Sequence, residues 1–148
     1  MELRTANEME TMQLAEKLGN IVQEGTLITL EGDLGAGKTT FTKGLGKGLG
    51  IKRPINSPTF TIMKIYEGGR LPLYHIDAYR LEGLEQDLGF EEFIYGEGVC
   101  VIEWYMFIED LLPKDRLEIK IEYEGDEARK ITLIPHGTIY EELVKELG

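Results

Sequence analysis

Cysteine is nearly absent from this chain of 148 residues: Cys100 stands alone, which rules out an intrachain disulfide or a cysteine zinc cluster. It lies in the apolar run Val99-Cys100-Val101-Ile102, the setting of a small buried side chain rather than a reactive thiol. No stretch approaches the roughly 20 consecutive apolar residues of a membrane span. The start, Met1-Glu2-Leu3-Arg4-Thr5, has no basic segment leading into an apolar core, so a soluble cytoplasmic protein is expected. Positive charge is scarce too. With 16 basic against 27 acidic residues the net charge is −11, and a field of that sign repels a phosphate backbone. The chain is therefore expected to reach any RNA only through a more basic partner. None of its six aspartates begins an Asp-x-x-Gly and no Asn-Lys-x-Asp occurs, which disfavours a GTPase-type switch. There are only six arginines and no obvious finger loop, and an arginine-bearing lid of the kind small-molecule kinases carry is missing as well. Internal repeats, low-complexity tracts and linkers are also lacking, so residues 1–148 read as one domain.

Glycine, by contrast, is abundant and placed with a purpose. Gly32-Asp33-Leu34-Gly35-Ala36-Gly37-Lys38-Thr39 is a complete phosphate-binding loop, Gly-x-x-x-x-Gly-Lys-Thr, followed by Thr40. Its glycines let the main chain curl so that successive N–H groups face phosphate oxygens, and the next helix turns its positive end toward the same charge. Lys38 then reaches the β- and γ-phosphates, and the Thr39 hydroxyl is a ligand for Mg2+. The context fits: Leu27-Ile28-Thr29-Leu30 is strand-like, while Phe41, Leu45 and Leu49 form one stripe of a helix ending near Gly48 or Gly50. A nucleoside triphosphate with Mg2+ is the expected ligand, and binding should depend on salt and Mg2+.

The remaining segments outline an α/β fold. A first helix is predicted over about Glu8 to Val22, with Asn7 and Glu10 as a capping box. Two prolines make 52–60, containing Thr59, a surface loop. Thr61–Tyr66 and Leu71–Ile76 flank Glu67-Gly68-Gly69-Arg70, a hairpin signal, and a helix is expected over about Leu84–Tyr95. Val99–Glu103 reads as a buried strand. Leu117–Tyr123 alternates as a strand wet on one face, pairs through 124–127 with Arg129–Ile134, and precedes a terminal helix at Tyr140–Leu147. The acids between Glu118 and Glu127 read as a solvated face and turn.

Phosphate loops need a carboxylate near the metal, usually at the carboxyl end of a strand beside the loop. Glu103, closing the most apolar strand, is the candidate for the metal shell; Asp77, closing the second hairpin arm, is the candidate for positioning water or supporting the metal. Thr59 is placed to bring a second hydroxyl toward the γ-phosphate. His75 reads as a half-buried packing residue, and Trp104 as either core or an aromatic wall beside Glu103.

The phosphate loop together with Ser57-Pro58-Thr59-Phe60, His75-Ile76-Asp77-Ala78-Tyr79-Arg80 and Val101-Ile102-Glu103-Trp104, in this order, resembles the bacterial TsaE (YjeE) family. The resemblance implies a P-loop ATPase domain with a central, mostly parallel sheet, antiparallel hairpin strands and helices on both faces. It further implies an ATPase that supports threonylcarbamoyladenosine formation in tRNAs reading codons that begin with adenine, alongside TsaB and TsaD, of which TsaD carries the transfer chemistry. By this likeness Asp33, Leu34, Gly35, Ala36, Gly37, Lys38, Thr39 and Thr40 hold the nucleotide, with Thr59 in a switch-like loop and Trp104 in the site. Thr39 and Glu103 hold Mg2+; Asp77, Lys38 and Glu103 serve catalysis. One departure follows Trp104: Tyr105-Met106-Phe107 replaces the small and then acidic or polar residues expected there. A small-molecule kinase or a nucleotide-binding switch on the same scaffold is the alternative function.

Overall fold

The computed structural model describes residues 1–32, 37–52, 54–55, 63–78 and 91–147. In chain order the elements are β1 (Glu2–Thr5), α1 (Glu8–Ile21), β2 (Leu27–Gly32), α2 (Lys38–Gly48), β3 (Met63–Tyr66), β4 (Leu73–Asp77), α3 (Glu91–Ile94), β5 (Val99–Glu103), β6 (Arg116–Tyr123), β7 (Arg129–His136) and α4 (Thr138–Leu147). Short 3-10 turns at Tyr105–Phe107 and Glu109–Leu111 link β5 to β6. Among the described residues no helix is long and apolar enough to cross a membrane.

The seven strands form one sheet in the order β1-β7-β6-β2-β5-β4-β3. Its centre is parallel, with β2 between β5 and β6 and β4 outside β5, whereas β1, β7 and β3 join antiparallel. The expected architecture is thus observed. Side chains alternate across a strand, and β5 shows what that does here. Val99 and Val101 enter the larger core beneath α1, α2 and α4; Cys100 and Ile102 enter a second cluster with Ile94 and Ile108 on the opposite face. Both faces of β5 are covered, so every residue of it is buried. Burial pushes the Cys100 thiol up to about 12, consistent with an inert packing group.

Local chemistry sets the helix ends. Asn7 Oδ1 accepts the Glu10 N–H at 2.9 Å, the cap expected of this pair, while Glu10 Oε1 reaches one residue further back and accepts the Ala6 N–H at 3.1 Å. At the other end of α1, the Arg70 guanidinium donates to the carbonyls of Gly19 and Val22 at 2.8 and 2.7 Å, tying the β3–β4 hairpin to the helix. Helices α1 and α2 meet backbone to backbone: a Cβ on Gly44 or Gly48 would run into the carbonyl oxygens of Met12 and Glu16. On the same face Tyr140 Oη accepts the Leu27 N–H at 2.9 Å, fixing α4 at the start of the loop-bearing strand.

Three readings shift. Strand β1 carries no signal long enough to be seen in the sequence, since its four residues are stable only as an addition to β7. Glu118 is not a solvated acid: it is 8% exposed and meets Arg116, Lys120 and His136. The helix expected over 84–95 is seen as Glu91–Ile94, its earlier part lying outside the described residues.

Candidate functional site

Parallel strands end at one edge of the sheet, and that edge collects the chemistry. Strand β2 runs into the glycine loop; β5 ends at Glu103 and β4 at Asp77, and the register sets Asp77 beside Glu103 and Glu103 beside Leu30. Gly37 then turns the chain into α2 with φ 109° and ψ 17°, a left-handed conformation that costs a non-glycine residue about 1 kcal/mol or more. The N-cap is a glycine with no side chain to bond the opening turn, which suits the first amide groups of α2 to an anion.

Lys38 is the first residue of α2. Its Nζ lies 3.4 Å from Glu103 Oε1 and 5.1 Å from the centroid of the Trp104 ring, and both members of the ion pair are nearly buried. The other carboxylate oxygen, Oε2, accepts from His75 Nε2 at 2.6 Å. Burial by itself would push the Glu103 carboxyl up, but the His75 hydrogen bond and the Lys38 charge outweigh it and hold the group below the usual carboxylate range. Glu103 is therefore an ionised carboxylate inside a nearly dry wall, and such a group demands a cation.

Trp104 follows in the left-handed conformation (φ 58°, ψ 43°), alone among the described non-glycine residues in having a positive φ. A non-glycine residue there stores about 1–3 kcal/mol. The turn carries the indole over Lys38 while leaving it 38% exposed, so it is a wall of the site and not core. Beside it opens a cleft of about 440 Å3 lined by Gly32, Lys38, Trp104, Met106, Lys120 and Glu122. The segment that departs from the family pattern thus places Met106 on the cleft wall and Tyr105 under the Arg116 guanidinium, 5.0 Å from its ring centroid. A second cavity, about 310 Å3, flanks Gly37 on the other side and includes Glu8, Thr40 and Arg129.

The structure brings Gly37, Lys38, Thr39, Glu103, Trp104 and Asp77 to this edge. Thr39 occupies the first turn of α2. The Thr40 hydroxyl donates to Glu8 Oε1 at 3.0 Å, which ties it to α1. Asp33, Leu34, Gly35, Ala36 and Thr59 lie outside the described residues. His75, read as half-buried packing, is wholly buried and is the residue the sequence understated. Its signal was there: two positions before Asp77 on one strand, it shares that residue's face.

The Glu103 carboxylate and the Thr39 hydroxyl are hard oxygen donors, the kind Mg2+ prefers when substrate phosphates complete its shell. The residues present fit that ion.

The sequence matches the family model for the threonylcarbamoyl adenosine biosynthesis protein TsaE over residues 5–131. The chain belongs to the TsaE family. Its relatives include the tRNA threonylcarbamoyladenosine biosynthesis protein TsaE of Bacillus subtilis, 52% identical over 148 residues and covering 100% of this chain and 94% of the relative. The Treponema pallidum TsaE is 43% identical over 135 residues, covering 90% and 99%. The crystal structure of Bacillus subtilis YdiB superimposes with a TM-score of 0.88 at 47% identity, covering 99% of this chain and 93% of the other. Family and fold thus agree, and the TsaE assignment rests on nearly the whole length of the domain.

Proposed function

We propose that this TsaE-family chain is a Mg2+-dependent ATPase that supports threonylcarbamoyladenosine modification of tRNA in the cytoplasm, acting with TsaB and TsaD. The observation that carries the proposal is the convergence of Lys38, Glu103 and Asp77 at the edge of the sheet where the glycine loop begins. Lys38 and the amide groups opening α2 bind the phosphates. Thr39 and Glu103 hold Mg2+, which when bound neutralises charge on the phosphoryl oxygens. Asp77 orients the attacking water, a role supported by its register with Glu103 on the next strand. Trp104 shields one side of the lysine.

Arginine charge speeds phosphoryl transfer, and among the described residues three arginines are engaged away from the phosphate loop. Arg70 is spent on helix carbonyls, Arg116 on Thr29 and Glu118, and Arg4 on Glu124. Completion of such a site by a partner is worth about 10³ to 10⁵ in rate. Slow hydrolysis by the purified chain and a large increase on adding TsaB and TsaD are expected. Full turnover by the chain alone, unaltered by those partners, would overturn the proposal. Parallel titrations with ATP and GTP decide the base.

A further inference from the structure

We infer that His75 is a positioning residue: it fixes the Glu103 carboxylate so that one oxygen stays against the strand and the other is presented to the phosphate loop. The inference rests on the nucleotide-site reading above, because it concerns the orientation of the carboxylate assigned there to Mg2+.

Register and burial carry it. His75 pairs with Val101, and Asp77 with Glu103, so the imidazole sits one residue pair behind the carboxylate on the face covered by α2. The His75 side chain has no exposure at all, and Nε2 lies 2.6 Å from Glu103 Oε2. An ionised carboxylate only accepts, so the hydrogen belongs to Nε2. The other ring nitrogen, Nδ1, has no partner among the described residues. A side chain that served packing alone would be better apolar, since an imidazole buried with one nitrogen unsatisfied is destabilising. Among the described residues, the imidazole's polar contact is with Glu103.

The effect on Glu103 is geometric. A glutamate has three free torsions, and a carboxylate held at a single oxygen has several ways to lie. With Oε2 fixed by His75, Oε1 is left facing Lys38, 3.4 Å away, on the side where phosphate and metal enter. Partners of this kind, which orient a ligand without touching the metal, commonly contribute about 10- to 100-fold in metal affinity.

The test compares binding of a fluorescent ATP analogue with Mg2+ and with EDTA in the full-length chain, for wild type, His75→Leu and His75→Gln. The glutamine keeps an N–H donor near the position of Nε2. In His75→Leu the Mg2+-dependent gain in affinity should fall by about 10-fold or more with binding in EDTA little changed, and His75→Gln should restore most of it. Equal losses in both media would show a merely structural role and overturn the inference. An undiminished Mg2+ gain in His75→Leu would overturn it alone, whereas a wild type that binds ATP without regard to Mg2+ would overturn the nucleotide-site reading with it. Nitrogen-15 spectra of the wild-type imidazole give a measure independent of any variant's folding. The proton should reside on Nε2, with a resonance that Mg2+–ATP moves more than metal-free ATP does. An Nε2 without its proton, or a resonance that Mg2+–ATP leaves in place, would refute it.

Discussion

Glu103→Gln should tighten, not weaken, the binding of metal-free ATP. Lys38 Nζ lies 3.4 Å from Glu103 Oε1, and the two side chains are only 11% and 7% exposed. The lysine proposed to grip phosphate is therefore paired with a carboxylate, which would itself repel an incoming triphosphate. Replacing the carboxylate with an amide of the same shape removes both obstacles. A charge-assisted contact of this kind is worth about 1.5 to 3 kcal/mol, and the gain in affinity should approach tenfold at the low end of that range. Adding Mg2+ should reverse the order, because the variant has lost a carboxylate ligand and the wild type has not. Isothermal titration in EDTA and again in excess Mg2+ gives both quantities on one sample. If the variant binds metal-free ATP no better than the wild type, or keeps the full benefit of Mg2+, Lys38 and Glu103 do not exchange partners and the division of roles fails.

Other outcomes are as definite. Lys38→Ala should reduce triphosphate affinity by about 10- to 100-fold with or without Mg2+, from loss of a contact of about 1.5 to 3 kcal/mol measured in the same titrations. Asp77→Ala should bind ATP nearly as the wild type does yet turn over slowly in single-turnover assays; an equal loss in binding would assign it to the metal instead. Gly44→Ala should destabilise the fold by about 1 to 3 kcal/mol, because the added methyl meets the Met12 carbonyl and the Ala15 side chain, and a melting curve should show it as a drop of roughly 2 to 4 °C per kcal/mol. Glu103 has a folded-state pKa below its ordinary 4.5, so its charged contacts contribute stability that is complete above that value and is lost as pH falls through the lowered one. Melting temperatures in acid should therefore fall faster for wild type than for Glu103→Gln; a gap that widens in favour of wild type would contradict the sign.

Much of this was visible in the residue order because it depends on local rules. The cap at Asn7, the glycine at 37, the strand over Leu117–Tyr123 with Leu117, Ile119 and Ile121 buried, and the buried run from Val99 all act within a turn or a strand, and each appears where it was expected, Glu118 and Tyr123 excepted. Elements whose existence depends on a distant neighbour were harder to see. Strand β1 is four residues long and is a strand because β7 offers an edge; Glu118 looks like a surface acid until Arg116 and His136 close over it.

The candidate site divides along the same line. The choice of Lys38, Thr39, Asp77 and Glu103 as candidates belongs to the sequence, since a glycine-rich loop and a carboxylate at the end of an apolar strand are local patterns. Their company was decided by tertiary structure alone. Whether His75 packs or positions depends on the parallel pairing of β4 with β5, which brings it to a residue 28 positions away in the chain, and on α2 covering that face. Lys38 meets Glu103 from a different part of the chain for the same reason: the parallel sheet brings its strand ends to one edge, and a residue pattern carries no distance between strands until the register is set.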